Sequence, residues 1–329
     1  VAKRCLELVS KPLELAGRNF TPACSIGIAY YPDNGIDLQT ILKAADTALY
    51  YAKDLGKNRY AFYDTGLTQK AEYRFKIAQS LRDAIENKEM SVVYQPQVDI
   101  NTGYIVCVEA LLRWKHPQLG HVSPVDFIIM AEQIGIIKEL TEWILRTACQ
   151  QLIMWKEAGF SSIRMAVNIA PTHFLESDLL PLIESVIKDT GIMPGDLELE
   201  VSEGVVQTNH EHLSAFKNLK ELGVLLAIDD FGIGYSSLAS LKHLHIDFLK
   251  IDKYFIDEMF VDKKAKLLLS SMIEMGHNMG HQVTAEGVEN KEQFDMLQSL
   301  GCDSAQGYLF SRPASAEKIL TLLGKKLTA

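Results

Sequence analysis

From Glu89 onward the chain alternates short β-like runs with helical ones, and this rhythm restricts its fold more than any other feature. Strand candidates are residues 91–100, 104–113, 164–170, 197–203, 225–230, 248–252, 282–288 and 303–310. Helical spacing is clearest over 136–158, where Ile137, Leu140, Ile144, Leu145, Ala148, Leu152 and Trp155 share one face; 262–280 is a second helix. Eight strands with helices between them predict an α/β fold of the TIM-barrel kind. "NTG" at 101–103 joins the first two candidates and is a hairpin signal. The first strand is therefore predicted to run antiparallel to the second, a modified barrel.

In such a barrel chemistry sits where the strands finish. The second candidate ends in "VEALLRW", supplying Glu109 and Arg113, and the third in "VNIAP" with Asn168. The fourth, "LELEVSE", gives Glu200 and Glu203; the fifth gives Asp229 and Asp230; the sixth, "FLKIDK", gives Lys250 and Asp252. The seventh, "TAEGVE", gives Glu286 and Glu289, and the eighth, "AQGYLF", gives Gln306. An adjacent Asp pair after a strand is, by itself, most often a solvated turn. Seven successive strands each ending in a carboxylate, amide or ammonium are different, because burying unpaired charge is costly.

Gathered at one mouth, these groups would pair through cations. Glu109, Asn168, Glu200 and Asp229 could form an oxygen shell for one metal, with Asp229 bridging to a second held by Asp230 and Glu286. All-oxygen ligands point to Mg²⁺ or Mn²⁺ rather than structural zinc. Two such ions would attract a phosphodiester and activate a water for in-line displacement. Lys250 would stabilise the developing charge or orient the water. Glu286 could ligate a metal, accept the water's proton, or both.

Net charge is −9, from 33 basic against 42 acidic residues, which argues against duplex nucleic acid as partner. A small nucleotide whose charge is met by metal ions remains compatible. The five cysteines, Cys5, Cys24, Cys107, Cys149 and Cys302, form no close pair, so a reducing cytoplasm is expected. No run reaches bilayer-spanning length and no signal peptide is visible. The chain starts at Val1 rather than Met, and the expectation is a fragment whose anchor or sensor lies upstream.

Residues 1–66 read as a short α/β piece: a helix over 1–10, a β-rich run over 20–32, a helix over 37–54 and a strand in "NRYAFYD" at 58–64. So small a unit can hardly bury a core alone. Residues 67–88 belong to a polar amphipathic stretch, read as a linker helix, and 89–329 form the larger domain.

At "EALLRW" (109–114), "DDFGIGYSSLASLKHLHIDFLKIDKYF" (229–255) and "AEGVE" (285–289) the chain resembles the EAL-domain cyclic di-GMP phosphodiesterases, over roughly residues 70–325. "SIGIAYYPDNG" and "ADTALYYAKDLGKNRYAFYD" resemble the back half of a GGDEF domain, whose signature loop is absent. Lys53 and Lys57 fall where that family contacts nucleotide phosphates. The resemblance implies hydrolysis of cyclic di-GMP to linear pGpG with Mg²⁺ or Mn²⁺, two per site. It places metal ligands at Glu109, Asn168, Glu200, Asp229, Asp230 and Glu286. It places the essential lysine at Lys250 and a supporting glutamate at Glu289. Substrate contacts fall on Gln95, Arg113, Asp252 and Gln306. Glu203 resembles the anchor of the loop at 231–237, associated with metal binding and dimerisation, so a homodimer is implied. Ile233 stands where the family often has Thr. Upstream sensory and GGDEF segments are expected in a parent chain. The competing reading is an inactive cyclic di-GMP receptor or scaffold. His277 and His281, four apart on a predicted helix, read as a surface pair, and His116 as a residue of the pocket rim.

Overall fold

The computed structural model describes residues 1–15, 18–54, 56–207, 210–234, 241 and 244–327. It divides into two compact units, Val1–Leu81 and Arg82–Ala329.

The first unit opens with helix Ala2–Val9 and an antiparallel pair, β1 (Leu13–Leu15) and β2 (Arg18–Phe20). A parallel pair follows, β3 (Ile26–Ile28) and β4 (Tyr60–Phe62). Helix Leu38–Asp54 covers that pair with its small face, burying Ala44, Ala48 and Ala52. The approach is close: a Cβ on Gly27 of β3 would overlap Ala45 O and Leu49 N. The β-rich run expected over 20–32 is only partly strand, because the "YPDNG" turn at 31–35 folds back through Asn34, whose Oδ1 accepts from Tyr30 N at 2.8 Å. Helix Thr65–Leu81 completes the unit. Ile36, Leu38 and Leu42 remain exposed, as expected of a piece with little core of its own.

In the second unit, residues 82–89 lead into β5 (Met90–Asp99), which pairs antiparallel with β6 (Ile105–His116). The hairpin is built by Asp99, whose Oδ1 accepts from Thr102 N at 2.6 Å and whose carbonyl accepts from Gly103 N at 2.8 Å. The short β7 (Gly120–Val122) folds back on β6. Then come β8 (Arg164–Asn168), β9 (Leu197–Ser202), β10 (Leu225–Phe231), β11 (Phe248–Ile251), β12 (Gln282–Ala285) and β13 (Ser304–Gln306). The order β5-β13-β12-β11-β10-β9-β8-β6, with β5 also on β6, closes an eight-stranded barrel. β5 is antiparallel to both neighbours, and the other barrel pairings are parallel. The predicted modified barrel is thus the observed one.

The eight strand candidates lie where the eight barrel strands form. Several end early: 164–170 stops at Asn168, 197–203 at Ser202 and 248–252 at Ile251, and the largest shortfalls are 282–288, which stops at Ala285, and 303–310, which stops at Gln306. Helix Ile137–Glu157 buries Leu140, Ile144, Leu145, Ala148, Leu152 and Trp155, and Trp155 meets Tyr94 of β5 edge-on at 5.1 Å. Each fully buried Leu or Ile among them contributes about 1.5–3 kcal/mol. Leu179–Thr190, His210–Leu222, Lys263–Asn278 and Lys291–Ser299 supply further helices between strands. Among the described residues, no helix is long and apolar enough to cross a membrane.

Strand alternation sends one parity outward to these helices and the other into the barrel. The inward set is unusually polar: Gln97, Cys107, Glu109, Glu198, Glu200, Lys250, Thr284, Ser304 and Gln306 are all buried. Near the strand starts, Glu198 Oε2 faces Arg164 Nε at 3.3 Å and accepts from Cys107 Sγ at 3.8 Å. The Arg164 guanidinium lies 4.6 Å from the centre of the Phe248 ring. Beside it, Lys220 Nζ donates to both oxygens of Asp247 at 2.8 Å, and Asp247 Oδ2 accepts from Leu226 N at 2.8 Å.

Candidate active site

At the strand ends the inward residues converge on Lys250. Its Nζ lies 2.7 Å from Glu286 Oε1, 2.8 Å from Glu200 Oε2, 3.1 Å from Asp229 Oδ1 and 3.9 Å from Glu109 Oε2. None of these approaches is aligned as a hydrogen bond, so they are ion pairs by distance. The side chain is 1% exposed. Burial works against its charge, yet Asp229, Glu109, Glu200 and Glu286 outweigh it and hold the lysine well above its usual range.

Asn168 bridges two of these carboxylates, its Nδ2 donating to Glu109 Oε1 at 2.6 Å and Glu200 Oε2 at 3.1 Å. β-register explains the meeting, since Asn168 and Glu200 are direct partners on β8 and β9. From β5, across the barrel, Gln97 Nε2 reaches Glu200 Oε1 at 3.4 Å. Gln306 Nε2 donates to Glu109 Oε2 at 2.5 Å and Gln95 Oε1 at 3.2 Å, and Gln95 Nε2 donates to Ser311 O at 3.3 Å.

Asp229 and Asp230 are adjacent, and a regular strand would send them to opposite faces. Two features change that. The β10–β11 register shifts between Ile228 and Phe231, and Asp230 takes a left-handed φ of 55°. Both carboxylates then join Glu286, with one oxygen of each of the three within 4.8 Å of the others. Burial, then Asp229 and Asp252, raise Asp230 to about 6. Burial raises Glu286 to about 8, Lys250 pulling the other way. Burial and then Glu109 push Glu200 well above the carboxylate range. Four carboxylates thus face one ammonium, with Asp230 alongside, and this excess of oxygen donors fits hard divalent cations.

Above the cluster lies a cleft of about 300 Å³, lined by Gln95, Glu109, Asp229, Glu286, Glu289, Gln306 and Tyr308 among others. Of the remaining predicted residues, Glu289 lines it, whereas Asp252, Glu203 and Arg113 do not. Asp252 caps helix Lys253–Glu258, its Oδ1 accepting from Tyr254 N at 2.6 Å. Glu289 stands at the rim and pairs with Lys253, not Lys250. Glu203 Oε2 accepts from Gly232 N at 2.8 Å and Gly234 N at 3.0 Å, tying down the start of the loop after β10; residues 235–237 of that loop lie outside the described residues. Ile233 is exposed. Arg113 stands apart from the cleft lining; its Nη1 donates to Leu112 O at 2.8 Å, and burial lowers its pKa.

Two expectations change. His116 is not at the rim: buried, its Nδ1 accepts from Gln118 N and Leu119 N at 3.0 Å and shapes the β6–β7 turn. His281 is not a surface residue, because the helix ends at Asn278 and the ring is buried against Ile246 O at 3.0 Å; His277 instead meets Asp303 Oδ2 at 2.8 Å. Gln97, Lys253 and Tyr308 were not singled out from the sequence. The alternation Gln95–Gln97 was the available signal for the first.

A family model described as "EAL domain" matches residues 78–313, and one described as "Diguanylate cyclase, GGDEF domain" matches residues 1–59. The bifunctional diguanylate cyclase/cyclic di-GMP phosphodiesterase MucR of Pseudomonas aeruginosa is 36% identical over 321 residues, 97% of this chain and 47% of that protein. The cyclic di-GMP phosphodiesterase NbdA of the same organism is 35% identical, covering 95% of this chain and 40% of that protein. The chain thus spans less than half the length of these curated relatives. Among solved structures, the MucR phosphodiesterase in complex with c-di-GMP is 37% identical with a TM-score of 0.71, over 74% of this chain and 99% of that one. The EAL enzyme Bd1971 bound to cAMP and cyclic di-GMP is 34% identical with a TM-score of 0.73, over 78% and 71%.

Proposed function

The chain belongs to the EAL-domain family, and from that premise we propose that it hydrolyses cyclic di-GMP to linear pGpG in a metal-dependent reaction. The observation that carries this is the cluster of Glu109, Asn168, Glu200, Asp229, Asp230 and Glu286 around Lys250, in which Glu109, Glu200 and Lys250 are buried and Asn168 and Asp230 are exposed, with a cleft above it. MucR, NbdA and PdeR, named for action on cyclic di-GMP, are relatives over nearly the whole of this chain.

Glu109, Asn168, Glu200 and Asp229 would hold one Mg²⁺ or Mn²⁺, and Asp229, Asp230 and Glu286 a second. When bound, two such ions supply Lewis acidity toward the phosphoryl group and an activated water. The protein's own groups do the rest. Glu286, beside Lys250 and the Asp pair, is placed to accept a proton at its carboxylate. Lys250 offsets negative charge as it develops on the phosphoryl oxygens. Gln306 and Gln95 line the cleft where an anionic ligand would enter. Glu203 fixes the backbone that follows the Asp pair. Water adds to phosphorus, the ribose 3′-oxygen leaves and takes up a proton, and the ring opens.

A homodimer through this domain belongs to the same proposal, supported by the exposed apolar side chains of Tyr254, Val261, Leu267 and Leu268; size measurement checks it. The deciding experiment is incubation with cyclic di-GMP and Mn²⁺, with and without chelator, followed by chromatography. Chelator-sensitive pGpG is expected. Binding without turnover would favour the receptor reading instead.

A further inference from the structure

Lys253 is a cation of the cleft to which nothing above gives a task. It follows Lys250 by three residues, just as Glu289 follows Glu286 by three. The ends of β11 and β12 pair them as two rungs: Lys250 Nζ–Glu286 Oε1 at 2.7 Å and Lys253 Nζ–Glu289 Oε1 at 2.9 Å. The inner rung is mostly buried. The outer one lines the cleft, with side chains 43% and 48% exposed.

An exposed pair of this kind contributes little to stability. The loop does not need it either. Glu286 N donates to Ile251 O at 3.0 Å, Val288 N to Gln306 O at 3.0 Å and Glu289 N to Gln293 Oε1 at 2.7 Å, so the backbone is already fixed. What these bonds leave unfixed is the Glu289 carboxylate. Lys253, by contrast, is rooted firmly. Its residue opens the helix capped by Asp252, and its stem lies across Gly287, where φ is 71° and a Cβ would overlap Lys253 Cγ.

We propose that Lys253 is a positioning residue for the site: it holds the Glu289 carboxylate at the cleft rim, in register with the Lys250–Glu286 pair beneath. This rests on the hydrolase reading above. A plainer assignment competes with it, because Lys253 Nζ also meets Asp257 Oδ1 at 2.8 Å, one turn along the same helix.

The test is a double-mutant cycle on cyclic di-GMP hydrolysis with Mn²⁺, using the full chain. Lys253→Met should lower kcat/KM about tenfold with an unchanged unfolding midpoint, and the Lys253→Met/Glu289→Gln pair should be no worse than Glu289→Gln alone. Lys253→Arg should recover most of the loss, and Asp257→Asn should match wild type. Independent, multiplying losses overturn the proposal, as does a Lys253→Met enzyme with wild-type kinetics or an Asp257→Asn enzyme that falls equally far. Should the wild-type chain bind cyclic di-GMP without turning it over, the hydrolase reading fails by itself. The same cycle on cyclic di-GMP affinity then decides, and uncoupled affinities overturn the proposal. A chain that does neither overturns both.

Discussion

The two poles of the barrel both bury charge, but in different proportion. Near the strand starts, Arg164 faces Glu198 and Lys220 faces Asp247, one cation to one carboxylate. Near the strand ends, Lys250 faces Glu109, Glu200, Asp229 and Glu286. A balanced buried pair closes on itself and its desolvation is largely offset by mutual attraction. An unbalanced cluster must hold protons or recruit cations; burial raises Glu198 at the balanced pole as well as Glu200 and Glu286, so it is the count of carboxylates per cation that separates the poles. Imbalance, rather than burial of charge as such, marks the working end.

The largest break in this contrast should come from Asp229→Asn. With a shared carboxylate gone, pGpG formation should fall at least about 100-fold by chromatography, the scale of losing one preorganised charge-stabilising group. Arg164→Met at the other pole should leave turnover per folded molecule near wild type. Equal losses at both poles would erase the distinction.

Stability sharpens it next. Removing one partner of a buried pair leaves the other uncompensated, so Arg164→Met should cost about 3 kcal/mol in urea unfolding, with or without Mn²⁺. Lys250→Met should also unfold early in chelator, but Mn²⁺ should restore its stability without restoring turnover. Failure of the metal to discriminate between the two variants would count against cation binding at the mouth.

The smallest effect expected is on pH. Between 4.5 and about 8 native Glu286 keeps a proton that the unfolded chain has released, and Asp230 does so between 3.8 and about 6. The native state then binds more protons, so the metal-free protein should lose stability as pH rises through that window. Urea midpoints in chelator at its two ends measure this, and Glu286→Gln should flatten the slope. A midpoint that climbs with pH would contradict it.

Much of this was legible beforehand, for identifiable reasons. Strand ends announce themselves when an aliphatic run meets a carboxylate, as at Ile228–Asp229, and the "NTG" turn announced the reversed first strand. The pairing pole was harder to read. Glu198 lies two residues before Glu200 in "LELEVS", and parity alone puts both inside, but nothing in the sequence says that Arg164 will meet one and Lys250 the other. That choice is set by register between β8, β9 and β11, a tertiary property. The side-by-side placement of Asp229 and Asp230 needed the shifted register and the left-handed backbone, neither of which an Asp-Asp pair signals by itself. For His281, helical spacing from His277 predicts a surface position, but the helix stops at Asn278 and the chain turns the ring inward.

The inverted β5 has a topological corollary. In a uniformly parallel barrel the polypeptide arrives at the pole remote from the chemistry. Here Met90 pairs with Trp114, beyond Glu109 on β6, and Glu89 accepts from Trp114 Nε1 at 2.9 Å, so the segment 82–89 arrives at the pole that carries the candidate site. The doorway by which the backbone enters this barrel and the doorway by which a ligand would enter it open on the same side.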